Sequence, residues 1–414
     1  MEQKFPSGFL WGAATSSHQV EGGNTNDWTE WEQKMAKSLS QRANSKNWPD
    51  FILKNYPNPL QPANYISGQA CDHYNRFRED FDIAKSLGHN AHRFSIEWSR
   101  VEPEEGKFDE VVIEHYREVV KSLRERGLEP FVTLWHFTNP LWISKIGDWT
   151  NKKTIDYFVR YVRKMVEALT EINFWITLNE PDDIYTFYAY CVGKYPPQEK
   201  SFIKTWLALR NLILAHKKAY RVIHQHNSSA MVSFANNTIY FESRGVIARI
   251  IKIFANAYWN FYFLRKTLAY NDFIGCNFYH HNVLKGVMTN QNKNVETTDV
   301  GWEILPKGIY HVLKDLKKYN KPIYITENGL ADAKDDKRTQ FIEEHLKWIY
   351  KAISENVDIR GYFHWSLLDN FEWDKGFWPR FGLVEVNYQT LERKIRPSAL
   401  AYAKICRTNK IESF

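Results

Sequence analysis

Residues 324–329 read Tyr-Ile-Thr-Glu-Asn-Gly, and this stretch indicates how the chain folds. A short apolar run, 323–325, is followed directly by a carboxylate and then by Asn-Gly, a pair that is typical of turns. The order predicts a buried strand whose end places Glu327 at the rim of a sheet. Residues 174–181 repeat the arrangement and place Glu180 at the end of an earlier strand. Either glutamate alone would be interpreted as a solvated loop residue.

Apolar runs of strand length occur eight times in the 414 residues, and segments with helical spacing separate them. Near-continuous apolar strands that alternate with helices favour a parallel sheet, and eight such pairs favour closure into a (β/α)8 TIM barrel with long rim loops. An open doubly wound sheet is the alternative, but residues 13–17 are not the glycine-rich phosphate loop that should follow its first strand. The predicted strands cover residues 9–15, 91–95, 130–134, 174–178, 231–234, 273–277, 323–326 and 361–365.

The chain carries no internal linker rich in Pro, Ser or Gly, so residues 1–414 are predicted to form one domain. Two polar insertions, 22–70 and 280–302, are longer than ordinary connections and are predicted to be functional loops at the rim. Aromatic residues make up 16% of the chain, which is more than an ordinary core requires. Some of them are therefore expected to line a groove.

Charge and cysteine usage exclude several classes of function. The formal net charge is +7, but basic residues are interspersed with acidic ones and form no nucleic-acid motif, so no nucleic-acid partner is expected. The four cysteines form no Cys-x-x-Cys pair, which indicates neither a zinc site nor a disulfide scaffold. Buried free thiols are expected at Cys71, Cys191, Cys276 and Cys406.

The amino terminus contains no apolar signal core, which favours a cytoplasmic location. The most apolar later stretch, 250–264, is interrupted by Lys252, Asn256 and Asn260 and is too short and too polar to span a bilayer. This stretch is interpreted as a buried helix, and no membrane partner is expected.

In a barrel of this kind, catalytic groups lie at the carboxyl ends of the strands. Polar and aromatic residues at the predicted ends are Gln19, Arg93, His136, Asn179, Glu180, Asn277, Tyr279, Glu327 and Trp365. Arg93 lies within an apolar run, so its buried charge needs an anionic partner; beside Glu327 it would keep that carboxylate ionised. Two glutamates at strand ends are what a glycoside hydrolase uses as general acid and nucleophile.

Five ordered motifs resemble those of glycoside hydrolase family 1, the retaining β-glucosidases and β-galactosidases of the barrel fold. They are FLWGAATSSHQVEG at 9–22, RFSIEWSR at 93–100, TLNEP at 177–181, ITENG at 325–329 and DNFEW at 369–373. The resemblance implies an exo-acting β-glycosidase that hydrolyses terminal β-D-glycosides through a covalent glycosyl-enzyme. β-Glucosidase activity is favoured, and β-galactosidase and β-fucosidase activities stay open.

The resemblance also implies a role for each site residue. Glu180 would be the acid/base and Glu327 the nucleophile, while Arg93, Asn277 and Tyr279 would orient and tune Glu327. The substrate would be bound by Gln19, His136, Asn179, Tyr279, Glu372 and Trp373, with Trp365 and Phe381 as an apolar wall and Trp302 on the leaving-group side. Without the motifs, the aromatic residues at 302, 365 and 381 would be interpreted as core residues, and His136 as a satisfied core histidine.

The pair Glu372 and Trp373 indicates whether the glycone carries a phosphate. Family members that act on 6-phosphorylated sugars carry Ser at this place, with a downstream Lys and Tyr that hold the phosphate. A carboxylate would repel a phosphate and accept hydrogen bonds from free hydroxyls, so a non-phosphorylated glycone is expected. Retention of configuration would require the carboxyl groups of Glu180 and Glu327 to lie roughly 5 to 5.5 Å apart.

Other functions remain as alternatives. A transglycosylase would use the same two glutamates, and a non-catalytic sugar-binding barrel would have little reason to keep both. A metal-dependent hydrolase would need a His/Asp cluster at the strand ends, and His136 has no such partners in the sequence, so neither a metal nor a cofactor is expected. The expected partners are small β-glycosides or oligosaccharides, while aglycone preference and oligomeric state are not determined by the sequence.

Overall fold

The computed structural model describes residues 2–55 and 57–412, and in it eight parallel strands close into the predicted barrel. Each strand pairs with the next in chain order, and the eighth pairs with the first, with Leu10 opposite Gly361. The strands are β1 (Leu10–Ala14), β2 (Ala91–Ser95), β3 (Glu129–Thr133), β4 (Phe174–Asn179), β5 (Met231–Arg244), β6 (Ile274–Lys285), β7 (Ile323–Asn328) and β8 (Ile359–Trp365).

Helices occupy most of the chain between the strands. The α-helices are Ser17–Val20, Asp27–Ala43, Asp50–Lys54, His73–Ser86, Trp98–Val101, Glu110–Glu125, Leu141–Lys145, Lys153–Ala168, Phe202–His226, Val246–Ala255, Tyr262–Thr267, Lys307–Leu316, Arg338–Ser354 and Pro397–Thr408. Short 3-10 helices are Pro62–Tyr65, Asp148–Thr150, Leu268–Tyr270, Lys317–Tyr319 and Trp373–Lys375, and π-helices are Pro181–Cys191 and Asn256–Asn260. Two antiparallel pairs lie outside the barrel: Glu2–Lys4 with Lys410–Glu412, and Val384–Val386 with Arg393–Ile395.

Aromatic side chains fill the barrel near the amino ends of its strands. The rings of Phe131 and Phe174 stack at a centroid distance of 4.1 Å, and Phe363 lies 4.7 Å from Phe131. Phe273 and Tyr324 belong to the same cluster, with alanines on β1, β2 and β5 between the large rings. Because this end is packed with apolar groups, the carboxyl end is left for polar side chains.

β5 and β6 extend far beyond their predicted ends at residues 234 and 277. The two strands stay paired to Arg244 and Lys285, with a register shift at Thr238. The predicted β5 ended at residue 234, before the polar pair 236–237, but the residues that follow this pair, Thr-Ile-Tyr-Phe at 238–241, are β-branched and aromatic and continue the strand. The first part of the insertion 280–302 is therefore strand rather than loop.

The insertion 22–70 follows β1 at the rim of the barrel, and much of it is helical rather than irregular loop. The helix Asp27–Ala43 starts with a capping box, in which Asn26 accepts a hydrogen bond from the backbone of Thr29 at 3.0 Å and bonds the Thr29 hydroxyl through its own backbone at 2.9 Å. Trp28 and Trp31 are buried on its inner side. The polar composition reflects the outer face of a packed helix.

The interpretation of 250–264 as a buried helix holds only for its second half. Phe261, Phe263 and Leu264 are buried, but Ile250 and Phe254 are exposed. Within residues 2–55 and 57–412, helices that combine the length and the apolar character needed to cross a membrane are absent.

The cysteines are free, and three of the four are buried as expected, whereas Cys191 is partly exposed.

Candidate active site

Glu180 and Glu327 lie at the carboxyl ends of β4 and β7, as the sequence predicts. Glu180 directly follows β4 in a left-handed backbone conformation, with φ of 41°, and its amide is held by the carbonyl of Ala235 at 2.8 Å. Glu327 is the penultimate residue of β7 and lies opposite Asn277 of β6. Both glutamates are buried.

The buried guanidinium of Arg93 has the anionic partner that its charge requires, the carboxylate of Glu327. Its Nη1 lies 2.5 Å from Oε1 of Glu327 and also donates to the carbonyl of Thr326 at 3.1 Å. Its Nη2 donates to Oδ1 of Asn179 at 2.6 Å, and its Nε donates to the hydroxyl of Thr133 at 3.2 Å. The guanidinium thus connects β2 to β3, β4 and β7, which fixes Glu327 relative to Asn179.

Asn277 and Tyr279 contact the two glutamates. The phenol of Tyr279 donates to Oε2 of Glu327 at 2.8 Å. Asn277 was expected to act on Glu327, but its Nδ2 donates to Oε1 of Glu180 at 2.8 Å, and its amide also stabilises the carboxylate of Glu327. Thr326 donates to Oδ1 of Asn277 at 2.7 Å and so fixes which end of the amide is the donor. One amide therefore acts on both carboxyl groups, because it bonds Glu180 and lowers the pKa of Glu327.

The bond between Asn179 and His136 determines the histidine tautomer. Because Oδ1 of Asn179 accepts from Arg93, its Nδ2 is the donor, and Nε2 of His136, 3.1 Å away, must accept. Burial, with Arg93 and His18 nearby, lowers the pKa of His136 well below its ordinary value, so the ring is neutral. Its proton therefore lies on Nδ1, which has no hydrogen-bond partner within residues 2–55 and 57–412. His136 is a partnered histidine that keeps one free donor.

The two glutamates have different electrostatic surroundings. Burial raises the pKa of Glu180 well above its ordinary value, and the charge of Glu327 raises it further. Burial also raises the pKa of Glu327, while Arg93, Tyr279 and Asn277 lower it. Arg93 acts in the expected direction without fully offsetting the burial. The partners favour Glu180 as the protonated member of the pair.

Glu372 lies at the other side of the cavity, supported by Gln19. The amide of Gln19 donates to Asn370 at 2.9 Å, to the carbonyl of Phe371 at 2.8 Å and to Glu372 at 3.4 Å. The hydroxyl of Ser16 donates to the side-chain oxygen of Gln19 at 2.7 Å. Burial raises the pKa of Glu372 to about 7, against the opposing charge of Lys375. A direct contact of Gln19 with the sugar stays a prediction.

Ten of the thirteen predicted site residues line a single cavity of about 240 Å³: His136, Asn179, Glu180, Tyr279, Trp302, Glu327, Trp365, Glu372, Trp373 and Phe381. Gln19, Arg93 and Asn277 lie behind this lining and hold it in place. The ring of Trp373 stacks on His18 at a centroid distance of 5.6 Å. Trp365 and Phe381 belong both to the cavity wall and to the barrel interior. Their interpretation as an apolar wall of the site and their interpretation as core residues are therefore compatible.

Sequence reasoning missed several residues of the cavity wall. Asn237 is buried, its side-chain oxygen has no partner in the part of the chain that the structure describes, and it lies on the part of β5 that was not predicted. Lys194 and Lys375 border the cavity and both pair with Asp374, at 3.0 and 3.5 Å. Lys375 follows the fifth motif by two residues, so its position next to Glu372 was the one available signal. Tyr195 also lines the cavity.

A closed barrel that gathers two buried carboxyl groups of different surroundings at the carboxyl ends of its strands defines a glycoside hydrolase. The sequence model of Glycosyl hydrolase family 1 matches residues 1–245 and 249–411. The chain belongs to this family, and it is a β-glycosidase.

Relatives cover the whole chain. Beta-glucosidase A from Thermotoga maritima is 32% identical, and the match covers 99% of this chain and 99% of the relative. A 6-phospho-beta-galactosidase from Staphylococcus haemolyticus is 30% identical over 99% of this chain and 100% of the relative. Among solved structures, a beta-glycosidase from Pyrococcus horikoshii has a TM-score of 0.88 and 36% identity, covering 100% of this chain and 97% of that one. These relatives leave the glycone undetermined.

Proposed function

We propose that the chain is a retaining, exo-acting β-glycosidase that hydrolyses terminal non-phosphorylated β-D-glycosides, with β-glucosidase as its main activity. The observation that carries this proposal is the unequal environment of two glutamates at one cavity. Glu180 accepts from Asn277 and has a pKa well above the ordinary value, whereas Glu327 is bonded by Arg93 and Tyr279. A protonated acid beside an ionised nucleophile is the arrangement that retention requires.

In the first step Glu327 attacks the anomeric carbon, the bond to the leaving group breaks, and Glu180 gives its proton to the leaving oxygen. In the second step Glu180, now ionised, takes a proton from water as the water oxygen attacks the same carbon and releases Glu327. Asn179, held by Arg93 at 2.6 Å, is positioned to bond the 2-hydroxyl as the transition state forms. A transglycosylase would replace the water with a sugar acceptor.

The wall around Glu372 supports a glycone without phosphate. A carboxyl group with a pKa of about 7 accepts hydrogen bonds from hydroxyls and, when ionised, repels a phosphate. Lys194 and Lys375 are the observation in favour of a phosphorylated sugar, because they border the same cavity. Asp374 pairs with both of these lysines, which offsets their attraction for an anion.

The test compares an aryl β-glucoside with the same glucoside bearing a 6-phosphate. We expect kcat/KM to be about a hundredfold or more higher for the free sugar, since like charges that face each other cost several kcal/mol. The Glu372→Gln variant removes the charge and keeps the shape of the side chain. In this variant the ratio of kcat/KM for the free sugar to kcat/KM for the phosphorylated sugar should decrease. A preference of the unsubstituted enzyme for the phosphorylated sugar would overturn the proposal, as would an α-anomer as the first product in proton NMR.

A further inference from the structure

The helix Val246–Ala255 exposes an apolar face to solvent. Its outer residues are between 53% and 72% exposed: Val246, Ile247, Ile250, Ile253 and Phe254. At about 100° per residue they occupy one continuous arc of about 120°. On the inner side, Ala248, Ile251 and Ala255 pack with Phe241 and Leu284 of the extended strands. The helix is thus apolar on two faces, and the described residues cover only one of them.

A neighbouring turn adds to this surface. Arg244, at the end of β5, pairs with Lys285, at the end of β6, so the start of the helix and the turn after β6 lie side by side. The turn carries Val287 and Met288, which are 77% and 57% exposed. We define the apolar tip by residues 246, 247, 250, 253, 254, 287 and 288. The match to the family model is interrupted at residues 246–248, where the tip begins.

Basic residues accompany the apolar tip in the sequence. The sequence from 243 to 271 contains no Asp or Glu and carries five basic residues: Arg244, Arg249, Lys252, Arg265 and Lys266. Glu242 and Asp315 border the segment, with Glu242 paired to Arg244 at 3.4 Å and Asp315 bonded to Asn256 at 3.3 Å. Because a symmetric contact brings each patch against itself, a second copy docked here would face its own basic residues. An anionic surface would attract them.

We propose that the apolar tip docks on an anionic lipid bilayer, with the helix Val246–Ala255 lying in the headgroup region. An apolar face flanked by Lys and Arg is the pattern of helices that lie in a membrane interface. Arg249, at the edge of the apolar arc, and Arg244, beside the turn that carries Val287 and Met288, would contact lipid phosphates while Ile250 and Phe254 enter the acyl boundary. This differs from the sequence-based expectation of no membrane partner, which was made for a spanning segment and not for a surface contact.

A second cavity connects the docking helix to the site. It has a volume of about 670 Å³ and shares Ile184, Tyr188, His280 and Trp302 with the catalytic cavity. Its wall includes the inner face of the helix at Ile251 and Ala255. An enzyme docked through the tip would therefore hold this groove next to the bilayer. A glycoside with an apolar aglycone could pass from the lipid to the site, and this last step rests on the proposed function.

Co-sedimentation with vesicles tests the docking without using activity. The full chain should bind vesicles that contain phosphatidylglycerol and bind vesicles of phosphatidylcholine alone much more weakly. The double variant Ile250→Asn with Phe254→Ser should lose binding about tenfold or more. The Arg244→Glu and Arg249→Glu pair should remove the preference for the anionic lipid. Binding that is equal for both vesicles, or unchanged in the first variant, would overturn the proposal.

The matched control changes exposed apolar residues elsewhere. Phe202 and Trp206, on the helix Phe202–His226, are 83% and 57% exposed, and the Phe202→Ser with Trp206→Ser variant should bind vesicles as the unsubstituted chain does. Hydrolysis of a short water-soluble aryl glycoside should stay unchanged in all variants, which separates a failure of docking from a failure of the proposed function. A lipid-free dimer that dissociates in the Ile250 and Phe254 variant, with no vesicle binding, would assign the tip to a second copy instead.

Discussion

The mouth of the barrel and the apolar tip depart from the ordinary distribution of residues in opposite ways. At the mouth, charged groups such as Arg93 and Glu327 are buried, and each has a protein partner. At the tip, Ile253 and Phe254 are exposed on a face that the described residues leave uncovered. A buried charge and an exposed apolar cluster are each costly to keep without a role. The difference indicates chemistry at the first region and binding at the second.

The largest effect is expected for Glu327→Gln. The substitution keeps the shape and the bond from Arg93 but removes the nucleophile, so kcat on an aryl β-glucoside should fall about 10⁴-fold or more. Steady-state kinetics measures the loss. Glu242→Gln, which removes a carboxylate of the strand extension, is the matched control and should change kcat little. A loss of less than about tenfold in Glu327→Gln would remove this residue from the mechanism.

Glu180→Ala should separate substrates by leaving group. Loss of the general acid should lower kcat/KM about 10² to 10⁴-fold for poor leaving groups and far less for good ones, because these need no proton. Burial raises the pKa of Glu180, and the acid is active only below that pKa. Activity of the unsubstituted enzyme should therefore fall as the pH rises through it, and this limb should disappear in the variant for good leaving groups. Equal losses on both substrates would refute the assignment.

Arg93→Met tests whether the mouth depends on its buried ion pair. The change leaves the carboxylate of Glu327 without a cation, so unfolding free energy should decrease by about 3–5 kcal/mol. The pKa of Glu327 should rise, which moves the acidic limb of the kcat/KM profile to higher pH, since the nucleophile acts only above its pKa. Arg93→Lys, which keeps a positive charge, should lose less stability and shift the acidic limb less than Arg93→Met. A profile unchanged in Arg93→Met would contradict the tuning role.

Lys375→Met should have a moderate effect. Removing this charge should raise the pKa of Glu372 above about 7, so that more of the carboxyl group is protonated at neutral pH. KM for a neutral glucoside should therefore increase a few-fold at pH 7 and recover as the pH rises. The pH dependence of KM checks this. An increase that is independent of pH would indicate a packing role for Lys375.

The smallest effect on stability is expected at the tip. Ile250→Asn with Phe254→Ser changes two exposed side chains, so the free energy of unfolding should stay within about 0.5 kcal/mol per substitution. Chemical denaturation of this variant beside Arg93→Met measures the contrast between the two regions. A large loss of stability at the tip would mean that these side chains pack against the protein.

Much of the barrel was predictable because its strands are short apolar runs bounded by breakers. β2, as predicted, covers residues 91–95, and β7 ends two residues beyond its predicted end. The ends of β5 and β6 were missed, because the polar residues at 236–237 and 280–282 interrupt the apolar runs and resemble the start of a loop. The exposure of the helix Val246–Ala255 was also unpredictable, since composition does not reveal which apolar face is left uncovered.

The candidate site was predicted where residues stand in motifs at strand ends. Arg93 pairs with Glu327 as expected from its position in an apolar run. Asn237 and Lys194 were missed, because their positions depend on the long β5 strand and on the segment after Pro181–Cys191 rather than on a motif. The catalytic roles and the division of the chain into a single domain stay predictions.

During hydrolysis, Glu327 should form a covalent bond with the sugar. Treatment with an activated 2-fluoro β-glucoside, followed by peptide mass spectrometry, measures this directly. We expect one fluoroglucosyl group per chain, attached to the peptide that contains residue 327 and absent from Glu327→Gln. A label on Glu180 or on any other residue would contradict it.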